Sequence, residues 1–129
     1  MADRTDPEGY LPLAPHTFQI LLSLLDHGPL HGYSIIKDVE GRTEGRTKLG
    51  TSTAYAAIKR LVRDGLLEPA LAPPGTDSEG PRRRYYRLTP FGRDVARAEG
   101  LRIVRLQRMV ARTSLLDGNA PGNGAKVEP

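Results

Sequence analysis

Two short segments hold the residues whose types and spacing are most specific. The first, TSTAYAAIKRLVRDG over residues 51–65, opens on three hydroxyl side chains. It then sets Tyr55, Lys59, Arg60 and Arg63 outside an apolar series, Ala54, Ile58, Leu61 and Val62. The second, GPRRRYYRLT over residues 80–89, carries Arg82, Arg83 and Arg84 directly before a tyrosine-rich run. Amides and hydroxyls at a helix start favour phosphate oxygens. Lysine and arginine reach phosphates and the acceptor edges of bases. Both segments therefore point to a polyanion, with DNA ahead of any other partner.

These residues need elements to hold them. Thr51 and Ser52 are suitable N-caps for a helix whose buried face is Ala54, Ile58, Leu61 and Val62. Gly65 stops it, since glycine takes the left-handed conformation without a Cβ clash. Leu66 to Leu71 reads as a strand limited to an edge by Pro69. PPGTDSEGP over 73–81 is a loop, and Tyr85, Tyr86 and Leu88 continue as a second strand. Upstream, a helix is expected from Pro15, with Phe18, Leu21, Leu22 and Leu25 at helical spacing and Ile20 and Leu24 widening the stripe. Gly28-Pro29 ends it. A second helix is expected over 33–41, and GRTEGRTKLG over 41–50 is a turn. Tyr33, Tyr85 and Tyr86 are expected to pack rather than to make contacts.

Thr89-Pro90 opens a last helix that runs to about Ser114, with Gly92 and Gly100 as tolerated interruptions. Its second stripe, Ile103, Leu106, Met109 and Val110, has no evident partner within the chain, and the same helix of a second copy is the simplest one. The resulting architecture is mainly α with a small β-hairpin: a winged helix-turn-helix plus a long C-terminal dimerisation helix. Its expected divisions are a flexible arm over 1–14, a DNA-binding domain over 15–89, the dimerisation helix over 90–116 and a disordered tail over 117–129.

Charge agrees with that order. Residues 1–80 carry 8 Lys and Arg against 11 Asp and Glu, whereas residues 81–116 carry 10 Arg against Asp94 and Glu99. A basic C-terminal half suits a polyanion. The chain has no Cys, so disulfides and thiol chemistry are excluded. His16, His27 and His31 do not share a helical face, and no phosphate loop, nucleophile elbow or metalloprotease motif is present. No cofactor, metal or catalytic constellation is implied, and an enzyme is not expected. No apolar run approaches the roughly 18 residues of a membrane span, so a cytoplasmic location is expected.

Three motifs in this order resemble the PadR family of bacterial transcriptional regulators. They are Gly28-Pro29-Leu30-His31-Gly32-Tyr33, then Thr53-x-Tyr55 with Leu61 and Gly65-Leu66, then Tyr85-Tyr86-x-Leu88-Thr89-x-x-Gly92. The resemblance covers roughly residues 15–112. It implies a winged helix, a dimerisation helix of the short class and operator binding, usually as a repressor. It permits a small-molecule effector, for which Phe91 and Phe18 are candidate walls. Ser52 and Thr53 would meet a phosphate, Tyr55 another through its hydroxyl, and Lys59 a phosphate or a base. Arg60 and Arg63 extend the basic face, and Arg82, Arg83 and Arg84 would sit at the wing. Thr51-Ser52 and Ala54 depart from the family's usual Pro-Gly and Leu. A winged-helix module that binds protein instead of specific DNA is the alternative.

Overall fold

The computed structural model describes residues 6–75 and 84–118. The chain forms two compact units, residues 1–99 and 100–129. In chain order the elements are α1 (Pro15–His27), β1 (Leu30–His31), α2 (Gly32–Arg42), α3 (Thr51–Arg63), β2 (Leu67–Ala70), β3 (Tyr85–Leu88) and α4 (Pro90–Ala111).

In the first unit, the two strands expected from the sequence are joined by a third. They form an antiparallel sheet in the order β1-β3-β2. Leu67 pairs with Leu88 and Ala70 with Tyr85, so the expected hairpin is present. Leu30 and His31 add an edge strand opposite Tyr86 and Tyr85. That strand was not expected, because two residues are too few to show a period.

The core is built by Ile20, Leu21 and Leu24 of α1, Ile35 and Val39 of α2, and Ala54, Ala57, Ile58 and Leu61 of α3. Leu66, Leu67 and Leu88 from the hairpin and its entry, and Val95 and Ala96 of α4, complete it. Each fully buried Leu or Ile contributes about 1.5–3 kcal/mol. Leu49, the lone apolar residue of the 41–50 turn, is also buried and pins that turn to the core.

Local chemistry sets most boundaries as expected. Pro15 lies in the first turn of α1 and Gly28 ends the helix at φ 75°. Gly65 has φ 84°, the left-handed turn between α3 and β2. Thr89 caps α4: its Oγ1 accepts from the Gly92 N–H at 2.9 Å and donates to the Gly65 carbonyl at 2.6 Å. Gly92 is more than a tolerated interruption. A Cβ there would collide with the Leu66 carbonyl, which is backbone and cannot swing aside. Only glycine lets α4 start against the end of α3.

Two other expectations are corrected. Residues 7–14 do not form a loose arm. Pro7–Tyr10 is a 3-10 turn capped by Asp6, and Tyr10, Leu11 and Leu13 pack on the core. The Tyr10 and Phe91 rings meet edge-on at 5.5 Å, a cis Leu11-Pro12 peptide follows, and the buried Glu99 accepts from the Leu13 N–H at 3.3 Å. Tyr33 does not pack inward. It is 57% exposed, stacked on His31 and beside the Lys37 ammonium.

In the second unit, the helical residues from 100 to 111 leave their apolar side chains in solvent. Ile103, Leu106 and Met109 are exposed and Val110 is half-buried. No helix among the described residues is long and apolar enough to cross a membrane.

Candidate nucleic-acid interface

Helix α3 forms because Ala54, Ala57, Ile58 and Leu61 fall on one side and bury there. At roughly 100° per residue, the side opposite that face is centred on Ser52, Ala56, Lys59 and Arg63, all exposed. Tyr55 lies on one flank of this outer face, and Thr53 and Arg60 on the other. Val62, expected on the buried face, is only half-buried because it lies toward the Tyr55 flank.

The N-terminus of α3 differs from the sequence expectation. Gly50, not Thr51 or Ser52, is the N-cap, and no side chain caps the helix. The first intrahelical bond runs from the Ala54 N–H to the Gly50 carbonyl at 2.9 Å. The amides of the first turn are therefore left for an outside acceptor, with the hydroxyls of Thr51, Ser52 and Thr53 exposed around them. A helix start in this condition is suited to phosphate. Arg46 and Lys48, both exposed in the turn just before, add charge that sequence reasoning did not single out. Their signal was present, as two cations among glycines leading into the hydroxyl cluster.

Tyr55 is 44% exposed, and the end of its ring covers Gly32 at the start of α2. The ring thus joins the two helices while its hydroxyl reaches the start of α2. Gly32 stands in the first of the three motifs, but its contact with Tyr55 was not evident from the sequence. A Cβ at this position would enter the space that the end of the ring occupies, so the ring holds its place only while residue 32 is glycine.

Charge pairing separates the cations. Arg63 is engaged by its neighbour Asp64 through Nε–Oδ1 at 3.0 Å, and that hydrogen bond raises its pKa. Arg87 on β3 is paired across the hairpin with Glu68 at 2.8 Å. Lys59, Arg60 and Arg84 make no ion pair among the described residues. Arg84 is exposed at the entrance to β3, on the same recess as Lys59 and Arg63. Arg60 lies instead on the side of Tyr10, Pro12 and Ala14. Arg82 and Arg83 lie outside the described residues.

A polar cluster ties α1 to α2. Asp38 accepts from Ser23 Oγ at 2.6 Å and from Arg42 Nε at 2.6 Å, and lies 3.0 Å from His27 Nε2. Arg42 also reaches Asp26 at 2.7 Å. Burial opposes ionisation of Asp38, but the hydrogen bonds from Ser23, Arg42 and His27 outweigh it and hold the carboxyl below its ordinary pKa. The α1–α2 pair is therefore held by charge that is already matched.

The model of the transcriptional regulator PadR-like family matches residues 21–98. A protein of Lysinibacillus sphaericus described only as uncharacterized protein X is 32% identical over 78 residues, which is 60% of this chain and 69% of that one. A transcriptional regulator from Clostridium thermocellum superposes with a TM-score of 0.61 at 26% identity, over 76% of this chain and 89% of that chain. The PcaV transcriptional regulator from Streptomyces coelicolor, solved with its natural ligand, gives 0.60 at 26% identity, over 78% of this chain and 62% of its own. Together with the three-stranded winged-helix architecture, these likenesses establish that the chain belongs to the PadR-like family of transcriptional regulators.

Proposed function

We propose that this transcriptional regulator binds a specific DNA operator as a homodimer and represses the genes behind it. One observation carries the reading: α3 has an uncapped start, and its outer face carries Lys59, which has no ion-pair partner among the described residues and lines one recess with exposed Arg84. The helix would enter the major groove. Ser52, Thr53 and Tyr55 would hold phosphates, Lys59, Arg60 and Arg63 would reach phosphates or bases, and Arg82, Arg83 and Arg84 would track the backbone at the wing.

Ile103, Leu106, Met109 and Val110 would pair with the same stripe of a second copy. The exposure of the first three supports this, since a row of large apolar side chains in water is costly without a partner. A two-fold dimer would then read a near-palindrome with half-site centres about one helical turn, roughly 34–36 Å, apart. A small-molecule effector releasing the DNA is part of the same reading, supported by the ligand complex of PcaV.

A gel-shift titration against the DNA upstream of its own gene, with random competitor, followed by footprinting, tests this. The expected result is a protected near-palindrome bound at least about 1,000-fold more tightly than random DNA. Equal affinity for both DNAs would favour a winged-helix module that binds protein instead.

A further inference from the structure

A recess of about 510 Å³ lies between α3 and the hairpin. Its lining is divided by chemistry. Ile58, Val62, Pro69 and Tyr86 provide an apolar floor, while Lys59, Arg63 and Arg84 provide cations. Tyr55 adds an exposed ring at the edge. We propose that this recess is a binding site for a small anion with a flat apolar body, such as an aromatic carboxylate or sulfonate, and that this anion and DNA exclude one another. The proposal rests on the DNA-binding reading of α3 for its second half only.

Three features favour this occupant. The volume falls within the roughly 300–1,000 Å³ usual for small-molecule sites. Two of the three cations, Lys59 and Arg84, make no ion pair among the described residues, so an incoming anion displaces only water from them. A phosphodiester backbone would engage the cations but leave half-buried Val62 and Tyr86 and exposed Pro69 uncovered, because its outer surface is charged and hydrated. A neutral apolar molecule would cover the floor and leave the cations unmatched. An amphiphilic anion satisfies both parts, and an aromatic one can also lie against Tyr55 or Tyr86.

Exclusion follows from shared residues. Lys59 lies on the outer face of α3, and Arg84 opens the wing strand. A ligand that holds both removes two phosphate contacts and blocks the approach of a strand between helix and wing. Such an effector would act on the DNA-contacting surface directly, without a conformational relay from elsewhere in the chain.

The test uses the full chain and the fluorescent anion 8-anilinonaphthalene-1-sulfonate, with N-phenyl-1-naphthylamine as the same body without the charge. The sulfonate is expected to bind at least about tenfold more tightly than the neutral compound. Its affinity should fall about tenfold in Lys59→Gln/Arg84→Gln, the loss of about 1.4 kcal/mol that two weakened charge contacts represent. Val62→Phe, which fills the floor without altering charge, should lower the affinity for both probes. Thermal melts of each variant exclude unfolding as the cause. Sulfonate binding that ignores all these substitutions would place the probe elsewhere and overturn the site. For the second half, duplex DNA added at low salt should displace the sulfonate. DNA binding that leaves the probe fluorescence intact would overturn exclusion while the site stands. Failure of the chain to bind DNA in the absence of probe would instead overturn the reading of α3, and with it the exclusion.

Discussion

Helices α2 and α3 are adjacent, similar in length and both amphipathic, yet they use charge in opposite ways. In α2 every charged side chain has a partner: Lys37 with Glu40, and Asp38 with Arg42, the latter shared with Asp26. In α3, Lys59 and Arg60 make no ion pair among the described residues, and Arg63 alone is matched, by Asp64. Surface ion pairs contribute only about 0–1 kcal/mol each, so the difference says little about stability. It bears on purpose. Charge already paired within the scaffold cannot be offered to a polyanion at no cost, whereas unpaired hydrated cations can. On the proposed reading, the helix with matched charge braces and the helix with unmatched charge faces the DNA.

The strongest way to break this contrast is to remove the unmatched charge. Lys59→Ala/Arg60→Ala should lower operator affinity by about 100-fold at moderate salt and reduce the salt slope by roughly 1 to 2 units. Lys37→Ala, on the matched helix, should change neither quantity. A salt titration of binding for the three proteins decides the matter. If Lys37→Ala weakens binding as much as the α3 double substitution, the division between the two helices is wrong.

Next in size is the brace itself. Asp38→Asn should cost about 2 kcal/mol at neutral pH, because Arg42 loses a charge-assisted partner and the buried Ser23 hydroxyl a strong acceptor. The pH dependence has a definite sign. The folded-state pKa of Asp38 is depressed, so its ionisation stabilises the fold above the unfolded value of about 3.9. That stabilisation is lost as pH falls through the lower folded value. The stability gap between the parent and the Asn variant should therefore be constant near neutrality and close in acid. Urea titrations at neutral pH and below pH about 4 check it. A gap that widens in acid would mean that the carboxylate opposes folding.

How much of this was legible in the sequence follows from the range over which each signal acts. Pro15, Gly28-Pro29, Gly65 and Thr89-Pro90 act within one turn of chain, and they set the helix boundaries that the structure shows. The outer face of α3 was legible for the same reason, since Lys59 and Arg63 are placed by the period of the helix that carries them. What was missed depends on a contact from far along the chain. Gly92 looks like a weak point in a helix until the Leu66 carbonyl is placed against it. The Tyr10, Leu11 and Leu13 run looks like a loose arm until Phe91 and the core lie beside it. Asp38 looks like a solvated helix charge until Ser23 and Asp26 of the preceding helix are set opposite it and Arg42. The N-cap was displaced by one residue because Gly50 adopts the extended cap geometry without offering a side chain, which a search for hydroxyl caps cannot detect.

The smallest effect should come from the point where the two helices touch. Gly32 begins α2, and the end of the Tyr55 ring occupies the space a Cβ would need. The obstacle is the far end of a side chain, so Gly32→Ala can be accommodated if the ring swings outward. Alanine in place of glycine also favours a helix by about 0.8–1 kcal/mol. The two terms oppose, and the net change in stability should stay within about 1 kcal/mol. The consequence appears on α3 instead. A displaced Tyr55 loses its position against α2, and its hydroxyl no longer stands where the start of that helix holds it. Operator affinity should fall by about three- to tenfold, the loss expected for one hydrogen bond to a phosphate. Tyr55→Phe should fall equally, and adding Gly32→Ala to Tyr55→Phe should cost little more, because both act through the same hydroxyl. Additive losses in that double-mutant cycle would show that Gly32 acts on DNA binding by some route other than Tyr55, and the ring would then be only packing between α2 and α3.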